Sequence, residues 1–361
     1  MSSSKRVICA MSGGVDSSAT AKLLLDAGYE VVGVTMQLIH GSEAEIDDAR
    51  KIARRLGIPH QTLDYRALFD RDVMTPFCEA YLNGETPNPC VECNKYLKFG
   101  ALQELRRREG FNYLATGHYA QIIYNDQVHR YELHRALDPN KDQSYVLYHL
   151  SQDDLAHTLL PLGAYTKDEV RSIAQAAGFQ NAKKPDSQDI CFIPEGDYAS
   201  FIADHTHTSF EPGTIVDESG TVLGIHQGLV HYTIGQRKGL GVAVGHPLFV
   251  LEKRGSDNTL VVGPAESVAV HHLEACDVSI LDGIDFTKPQ RVFAKVNYRS
   301  RNISAVAQLV SEDTLRVTFL EHQRFAAPGQ AVVLYDHDCV VAGGTIHKVV
   351  RCSEFEKLSS V

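Results

Sequence analysis

Apolar and polar positions in the first 180 residues switch between two periods. Arg6–Met11 is a short apolar run rich in β-branched and sulfur-bearing residues, and a polar, glycine-bearing turn follows at Ser12–Asp16. Ser17–Ala27 repeats with helical spacing and stops at Gly28, the residue type expected just past a helix end. Glu30–Leu38 is almost wholly apolar, as befits a strand covered on both faces of a parallel sheet. Ser42 and Glu45 have the spacing of a capping box, ahead of a helix that ends at Gly57 with Pro59 beyond it. His60–Tyr65 and Phe111–Ala115 read as further strands, and a second capping box, Thr166 to Glu169, opens a helix that closes at Gly178. Strand–helix alternation with short turns predicts an α/β, doubly wound parallel sheet.

After residue 205 the period shortens to two. Gly213–Val216, Val222–Ile225, Leu248–Lys253 and Thr259–Val262 are short alternating runs broken by Gly, Pro, Asp and Asn. Arg291–Tyr298, Ser304–Val310, Thr314–Phe319 and Ala331–Tyr335 continue the series at the spacing of a small β-barrel or sandwich. Three domains are therefore expected: a catalytic domain over residues 1–205, a small mostly-β central domain over 206–274, and a C-terminal β-barrel over 275–361.

Composition narrows the function classes. The 361 residues are 43% hydrophobic and 22% charged, an ordinary globular balance. The chain holds no apolar stretch of the roughly 20 residues that cross a bilayer. Its short first apolar run is too brief for a signal-peptide core, so no membrane association and a cytoplasmic location are expected. The 45 acidic residues outnumber the 35 basic ones, a net charge of −10, which argues against coating nucleic acid by bulk charge. Eight cysteines are too sparse for a disulfide scaffold.

The first candidate chemistry is Ser12-Gly13-Gly14-Val15-Asp16-Ser17-Ser18, set between a strand and a helix. Two glycines let the backbone turn N–H groups toward a ligand, and the helix N-terminus favours an anion. Ser12, Ser17 and Ser18 add hydroxyls. Asp16 is out of place beside phosphate unless Mg²⁺ bridges it. The absence of a lysine after the glycines excludes the G-x-x-x-x-G-K-[ST] loop. Gly239–Gly245 follows no strand–turn–helix pattern and reads as an ordinary loop.

The second is a set of cysteines. Cys90 and Cys93 lie in Thr86-Pro-Asn-Pro-Cys90-Val-Glu-Cys93-Asn-Lys95, and Cys191 ends Asp186-Ser-Gln-Asp-Ile-Cys191. The prolines predict a helix beginning near Asn94, so that the helix end and Lys95 would lower the Cys93 thiol pKa. Half a zinc site, a buried structural pair and a sulfur-handling pair all fit this spacing. Cys9, Cys78, Cys276, Cys339 and Cys352 read as packing thiols.

The loop string resembles the pyrophosphatase loop of the adenine-nucleotide α-hydrolases, which split ATP to AMP and pyrophosphate. With it stand Ala115-Thr-Gly-His-Tyr119, Asn140-Lys-Asp-Gln-Ser-Tyr145, the Cys191 segment, Gly224-Ile-His226-Gln-Gly228 and Tyr232-Thr-Ile-Gly-Gln-Arg-Lys-Gly239. In this order, over essentially the whole chain, they resemble the bacterial tRNA-specific 2-thiouridylase family. The resemblance implies ATP-dependent adenylation of the C2 oxygen of the tRNA wobble uridine (position 34), followed by sulfur replacement. Cys191 would carry the persulfide and Cys93 would be the second catalytic thiol, attacking the persulfide to release sulfide or resolving it by forming a disulfide with Cys191. Ala10, Met11, Ser12, Gly13, Gly14, Val15, Asp16, Ser17, Met36 and Gly117 would hold ATP with Mg²⁺. Asn88, Pro89 and Cys90 would meet the target base. His118, Lys141, Asp142, Gln143, Tyr298, Arg299 and Gln330 would contact the anticodon arm.

A sulfur-donor protein, either a cysteine desulfurase or a persulfide relay, is implied as partner. Many relatives have Asp where this chain has Cys90, so Cys90, Cys93 and Cys191 also raise the possibility of a [4Fe–4S] cluster. The rivals are another adenylating enzyme of the same superfamily and a non-catalytic RNA-binding or redox protein. Basic residues cluster at Lys95 and Lys98, Arg106–Arg108, Lys183-Lys184, Arg237-Lys238, Lys253-Arg254, and Arg299 with Arg301, while residues 276–361 balance ten basic against ten acidic residues. These clusters would touch phosphates locally.

Overall fold

The computed structural model of the chain describes residues 5–183, 190–193, 197–353 and 355. Arg6–Ala10 (β1), Glu30–Gln37 (β2), His60–Asp64 (β3), Tyr113–Ala115 (β4) and Thr158–Leu159 (β7) form one parallel sheet in the order β3-β2-β1-β4-β7. Val7, Ile8 and Cys9 of β1 are fully buried, with Val7 and Cys9 facing one core and Ile8 the other. That is why the run shows no polar face: successive strand residues point to opposite sides, and both sides are covered. Burying each such side chain stabilises the fold by about 1.5–3 kcal/mol before entropy is counted. The strand order reverses between β1 and β4, and ligands of doubly wound sheets sit in the crevice at such a point.

The two capping boxes fare differently. Thr166 accepts from the Glu169 N–H and Glu169 accepts from the Thr166 N–H, closing the box at the helix Lys167–Ala176. Ser42 forms no cap on the helix Glu43–Leu56, because its hydroxyl donates to the Ile39 carbonyl. A complete box that the spacing did not flag opens the helix Gln152–Ala156, between Ser151 and Asp154.

Gln121–Asn125 (β5) and Arg130–His134 (β6) form a hairpin that leaves the catalytic sheet. The central module is a four-stranded sheet of Gly213–Val216 (β8), Val222–His226 (β9), Phe249–Arg254 (β10) and Thr259–Gly263 (β11), in the order β10-β11-β8-β9. Ala269–Ile280 (β12), Gln290–Lys295 (β13), Ile303–Leu309 (β14), Leu315–Arg324 (β15), Ala331–Asp336 (β16) and Cys339–Arg351 (β17) close into a six-stranded barrel through the β12–β17 pairing. The β5–β6 hairpin joins the edge of β17, so the barrel and the catalytic domain share a sheet. No helix among the described residues is long and apolar enough to cross a membrane.

Candidate active site

The loop after β1 sits at the sheet's switch point. Gly13 takes φ +73°, and a Cβ there would lie 2.5 Å from the Glu45 carbonyl oxygen. Only glycine makes that turn without strain. Gly14 precedes the helix Val15–Asp26, which begins two residues earlier than its periodicity suggests. Ser17 and Ser18 both donate their hydroxyl protons to the Gly14 carbonyl, at 3.2 and 2.7 Å. They brace the loop instead of adding free donors. Asn181 donates to the Gly13 carbonyl at 2.8 Å from the far end of the domain. Gly117, just past β4, backs onto the loop so closely that a Cβ would stand 3.0 Å from the Ser17 nitrogen. Ala10 pairs with Val34 in register, which places Met36 two residues further along β2. The positions expected to hold nucleotide thus meet at one crevice.

Asp16 has protein partners of its own. Lys167 Nζ reaches its two carboxylate oxygens at 2.7 and 2.8 Å, and the Tyr119 hydroxyl donates to Oδ1 at 2.7 Å. Lys167 is 6% exposed, so a buried cation neutralises the carboxylate that looked out of place in the sequence. Lys167 and Tyr119 were not among the expected site residues. One signal was available: a lysine in the first turn of a helix opposes the macrodipole and therefore asks for a partner.

Cys90 and Cys93 do not sit as their spacing suggests. Asn88 caps a short helix, Pro89–Glu92, by accepting from the Cys90 N–H at 3.2 Å, and Pro89 occupies its first turn. Cys93 follows inside a continuing π-helical stretch, Cys93–Ala101, so it has no helix terminus beside it. Lys95 is drawn away into an ion pair with Asp277 of β12. The expected drop in thiol pKa is overturned: burial pushes Cys90 and Cys93 up. Burial together with the neighbouring Cys93 and Cys90 sulfurs pushes Cys191 up to about 11.

Lys98 acts against this rise at all three thiols. Cys93 is 8% exposed and belongs to the aromatic cluster of Phe69, Phe77 and Phe192, whereas Cys90 and Cys191 keep an exposed face although protein atoms crowd their sulfurs. Lys98→Met should raise these thiols further and slow iodoacetamide labelling of Cys191 at pH 8 by about 3–10-fold. An unchanged pH–rate profile would show that Lys98 does not set their ionisation.

The same mutual influence shows that Cys191, about a hundred residues away in sequence, is brought to Cys90 and Cys93. Cys90 also raises the Tyr298 phenol, and Tyr298 stands exposed after β13. The barrel contributes a second residue: Gln330 donates to the Thr86 carbonyl at 2.6 Å, and Thr86 N–H donates to Pro328. Beside these lies a cleft of about 510 Å³, lined by Asn88, Pro89, Ile190, Tyr198, His231 and Gln330 among others. All three modules contribute to its wall.

The remaining expected contacts divide. Arg299 is exposed, and Lys141 is half-buried. Asp142 is buried and accepts from the backbone of Ala136 and Ser144. Gln143 clamps the Tyr119 backbone on both sides. His118 ends β4 at the ligand edge, but its ring is 7% exposed, bonded to Thr116 and packed on Phe99. Burial, with Lys98 and His149 nearby, holds it well below the usual histidine range.

Two basic clusters each lose one member to the interior, while Arg107, Arg108 and Arg254 stay exposed. Arg106 is buried against Gln103, and Lys253 is buried over the Tyr81 ring, where burial lowers it to about 8. Arg237 and Lys238 remain exposed. Lys184 and the Asp186–Asp189 stretch lie outside the described residues, as does the Lys183 side chain. The cysteine trio gives no support to an iron–sulfur centre. Among the described residues it does not form a group whose ligand atoms all lie within 4.8 Å.

Fold and site define a nucleotide-binding α/β domain of the HUP type, coupled to a small β module and a β-barrel. Family models for a "tRNA methyl transferase HUP domain", a "tRNA methyl transferase PRC-barrel domain" and an "Aminomethyltransferase beta-barrel domain" match residues 5–195, 199–264 and 270–346. The chain is 46% identical to the tRNA-specific 2-thiouridylase MnmA of Carboxydothermus hydrogenoformans, over 95% of this chain and 98% of that protein. It is 47% identical to the protein of that name from Moorella thermoacetica, over 95% and 99%. The chain belongs to the tRNA-specific 2-thiouridylase family. Among solved structures, the U34-tRNA thiolase NcsA from Methanococcus maripaludis overlays 56% of this chain and 64% of its own at 18% identity. The TM-score of 0.35 is too low to bear on function.

Proposed function

We propose that this chain carries out the ATP-dependent 2-thiolation of the wobble uridine of tRNA, with the reaction divided between the two halves of the site. The observation that carries the reading is the junction itself. A glycine-bearing loop ahead of a helix N-terminus lies at the switch point, Cys191 lies near enough to Cys90 and Cys93 for them to bear on its ionisation, and a cleft walled by all three modules lies beside Asn88 and Pro89. A cleft of this volume falls within the roughly 300–1,000 Å³ common for small ligands, and a wobble base swung out of its stack would fill part of it.

ATP enters with Mg²⁺ as its counterion. The Ser12–Ser17 loop amides and the helix N-terminus hold its phosphates. The uridine C2 oxygen attacks the α-phosphorus, pyrophosphate leaves, and the oxygen becomes part of a good leaving group. A persulfide on Cys191, received at its exposed position from a sulfur-donor protein, attacks C2 and expels AMP. Cys93 then attacks the Cys191 sulfur, which frees 2-thiouridine and leaves a Cys93–Cys191 disulfide that a dithiol must reduce. The raised thiols suit this order: a resting thiol stays protonated and quiet, whereas the more acidic persulfide ionises first. Tyr298, Arg299 and Gln330, with Lys141, would place the anticodon arm. The reading predicts AMP and pyrophosphate formation that depends on added tRNA. Equal ATP cleavage without RNA, or cleavage to ADP, would contradict it.

A further inference from the structure

Away from the thiolation site, Glu132, His134 and Cys339 bring a carboxylate oxygen, an imidazole nitrogen and a sulfur within 4.8 Å of one another. The backbone explains the meeting. Glu132 and His134 are two apart on β6 and share a face, and Cys339 is the register partner of His134 across the β6–β17 ladder. His134 Nε2 lies 2.8 Å from Glu132 Oε2, and Asn125 donates to the other Glu132 oxygen, which fixes the carboxylate's orientation. The surroundings are anionic. The carboxylates of Glu132, Asp282 and Asp336 lie around Cys339. A thiol among carboxylates is poorly placed as a nucleophile and well placed as a ligand, because a bound dication reverses the local electrostatics.

We propose that Glu132, His134 and Cys339 bind one Zn²⁺. The mixed sulfur, nitrogen and oxygen donors suit a borderline-soft ion better than Mg²⁺ or Ca²⁺, and three protein ligands leave a fourth position for water. On binding, Cys339 releases one proton to solvent, neutral His134 moves the proton that its Nε2 shares with Glu132 to Nδ1 so that Nε2 is free to coordinate, and no electron transfer is involved. The consequence is mechanical. β6 meets β17 through two residue pairs, Cys339 with His134 and Val340 with Leu133. A metal at that spot clips the catalytic domain's hairpin to the barrel that supplies Tyr298 and Gln330.

The test uses the full chain carrying Cys90→Ser, Cys93→Ala and Cys191→Ser, so that the active-site thiols cannot bind metal. Titration with Co²⁺ should produce a thiolate-to-metal charge-transfer band saturating at about one ion per chain. Adding Cys339→Ser should abolish the band, and His134→Ala should weaken binding by at least the roughly 10–100-fold that outer-shell changes cost. Zn²⁺ should raise the melting temperature of the parent and not of the Cys339→Ser form. In the unsubstituted protein, Zn²⁺ should protect Cys339 but not Cys276 from alkylation, read by peptide mass, which keeps the test valid if Cys339→Ser does not fold. No band, a band that survives Cys339→Ser, or equal labelling of both cysteines with and without Zn²⁺ would overturn the proposal.

Discussion

Cys191→Ser should abolish sulfur transfer while leaving adenylation intact. Thiolation should fall by on the order of 10⁴-fold or more, as it does when a nucleophile is removed. Pyrophosphate release, by contrast, should continue for a single turnover per tRNA, because Cys191 takes no part in the attack on ATP. The substitution swaps one small group for another at an exposed position, where stability changes stay within about 0.5 kcal/mol, so unfolding does not explain the loss. The matching change at the second thiol is Cys93→Ala. Cys93 packs among Phe69, Phe77 and Phe192, and a serine there would bury a hydroxyl without a partner at a cost of about 1–3 kcal/mol. Cys93→Ala should stall the reaction with Cys191 joined through the transferred sulfur to C2 of the uridine. The readouts are nucleoside mass and a thiol-cleavable protein–tRNA adduct, and full turnover by either variant would remove that cysteine from the mechanism.

Lys167→Met should impair the ATP half of the site, by a different route. Lys167 and Tyr119 neutralise and orient Asp16 inside the phosphate loop. Without the ammonium, an unpaired carboxylate faces the triphosphate, and the KM for ATP should rise by about 10–100-fold, equivalent to roughly 1.4–2.8 kcal/mol. A purely structural lysine would give a general loss of stability that a second substitution would not repair. An electrostatic one gives a signed interaction: Lys167→Met with Asp16→Asn should bind ATP better than Lys167→Met alone. Additive losses in the double variant would show that the pair does not act through charge at the phosphate site.

How much of this was legible in the sequence follows from how far apart the parts lie. The Ser12–Ser18 loop reads directly because its glycines, hydroxyls and helix start are contiguous, and the two-sided burial of β1 shows in its unbroken apolar run. Lys167 was not legible as a partner of Asp16, 151 residues away. The thiol ionisation was misread for the same reason. Lys95 is two residues from Cys93 in sequence, but its charge goes to Asp277 on the barrel, and burial by the aromatic cluster decides the outcome. Ser42 had the right spacing for a cap and a nearer acceptor in Ile39. The β5–β6 hairpin acquires its meaning from β17, a strand about two hundred residues later. Local chemistry was readable, and the partners supplied by the fold were not.

The central claim is that the two halves of the site exchange one oxygen of tRNA for one sulfur. The most direct measurement is nucleoside mass analysis of tRNA after incubation with the protein, ATP, Mg²⁺ and a persulfide source. The account predicts one sulfur-for-oxygen exchange at the wobble uridine, absent when ATP is omitted. An unmodified wobble uridine under these conditions, or a modification lacking sulfur, would contradict it.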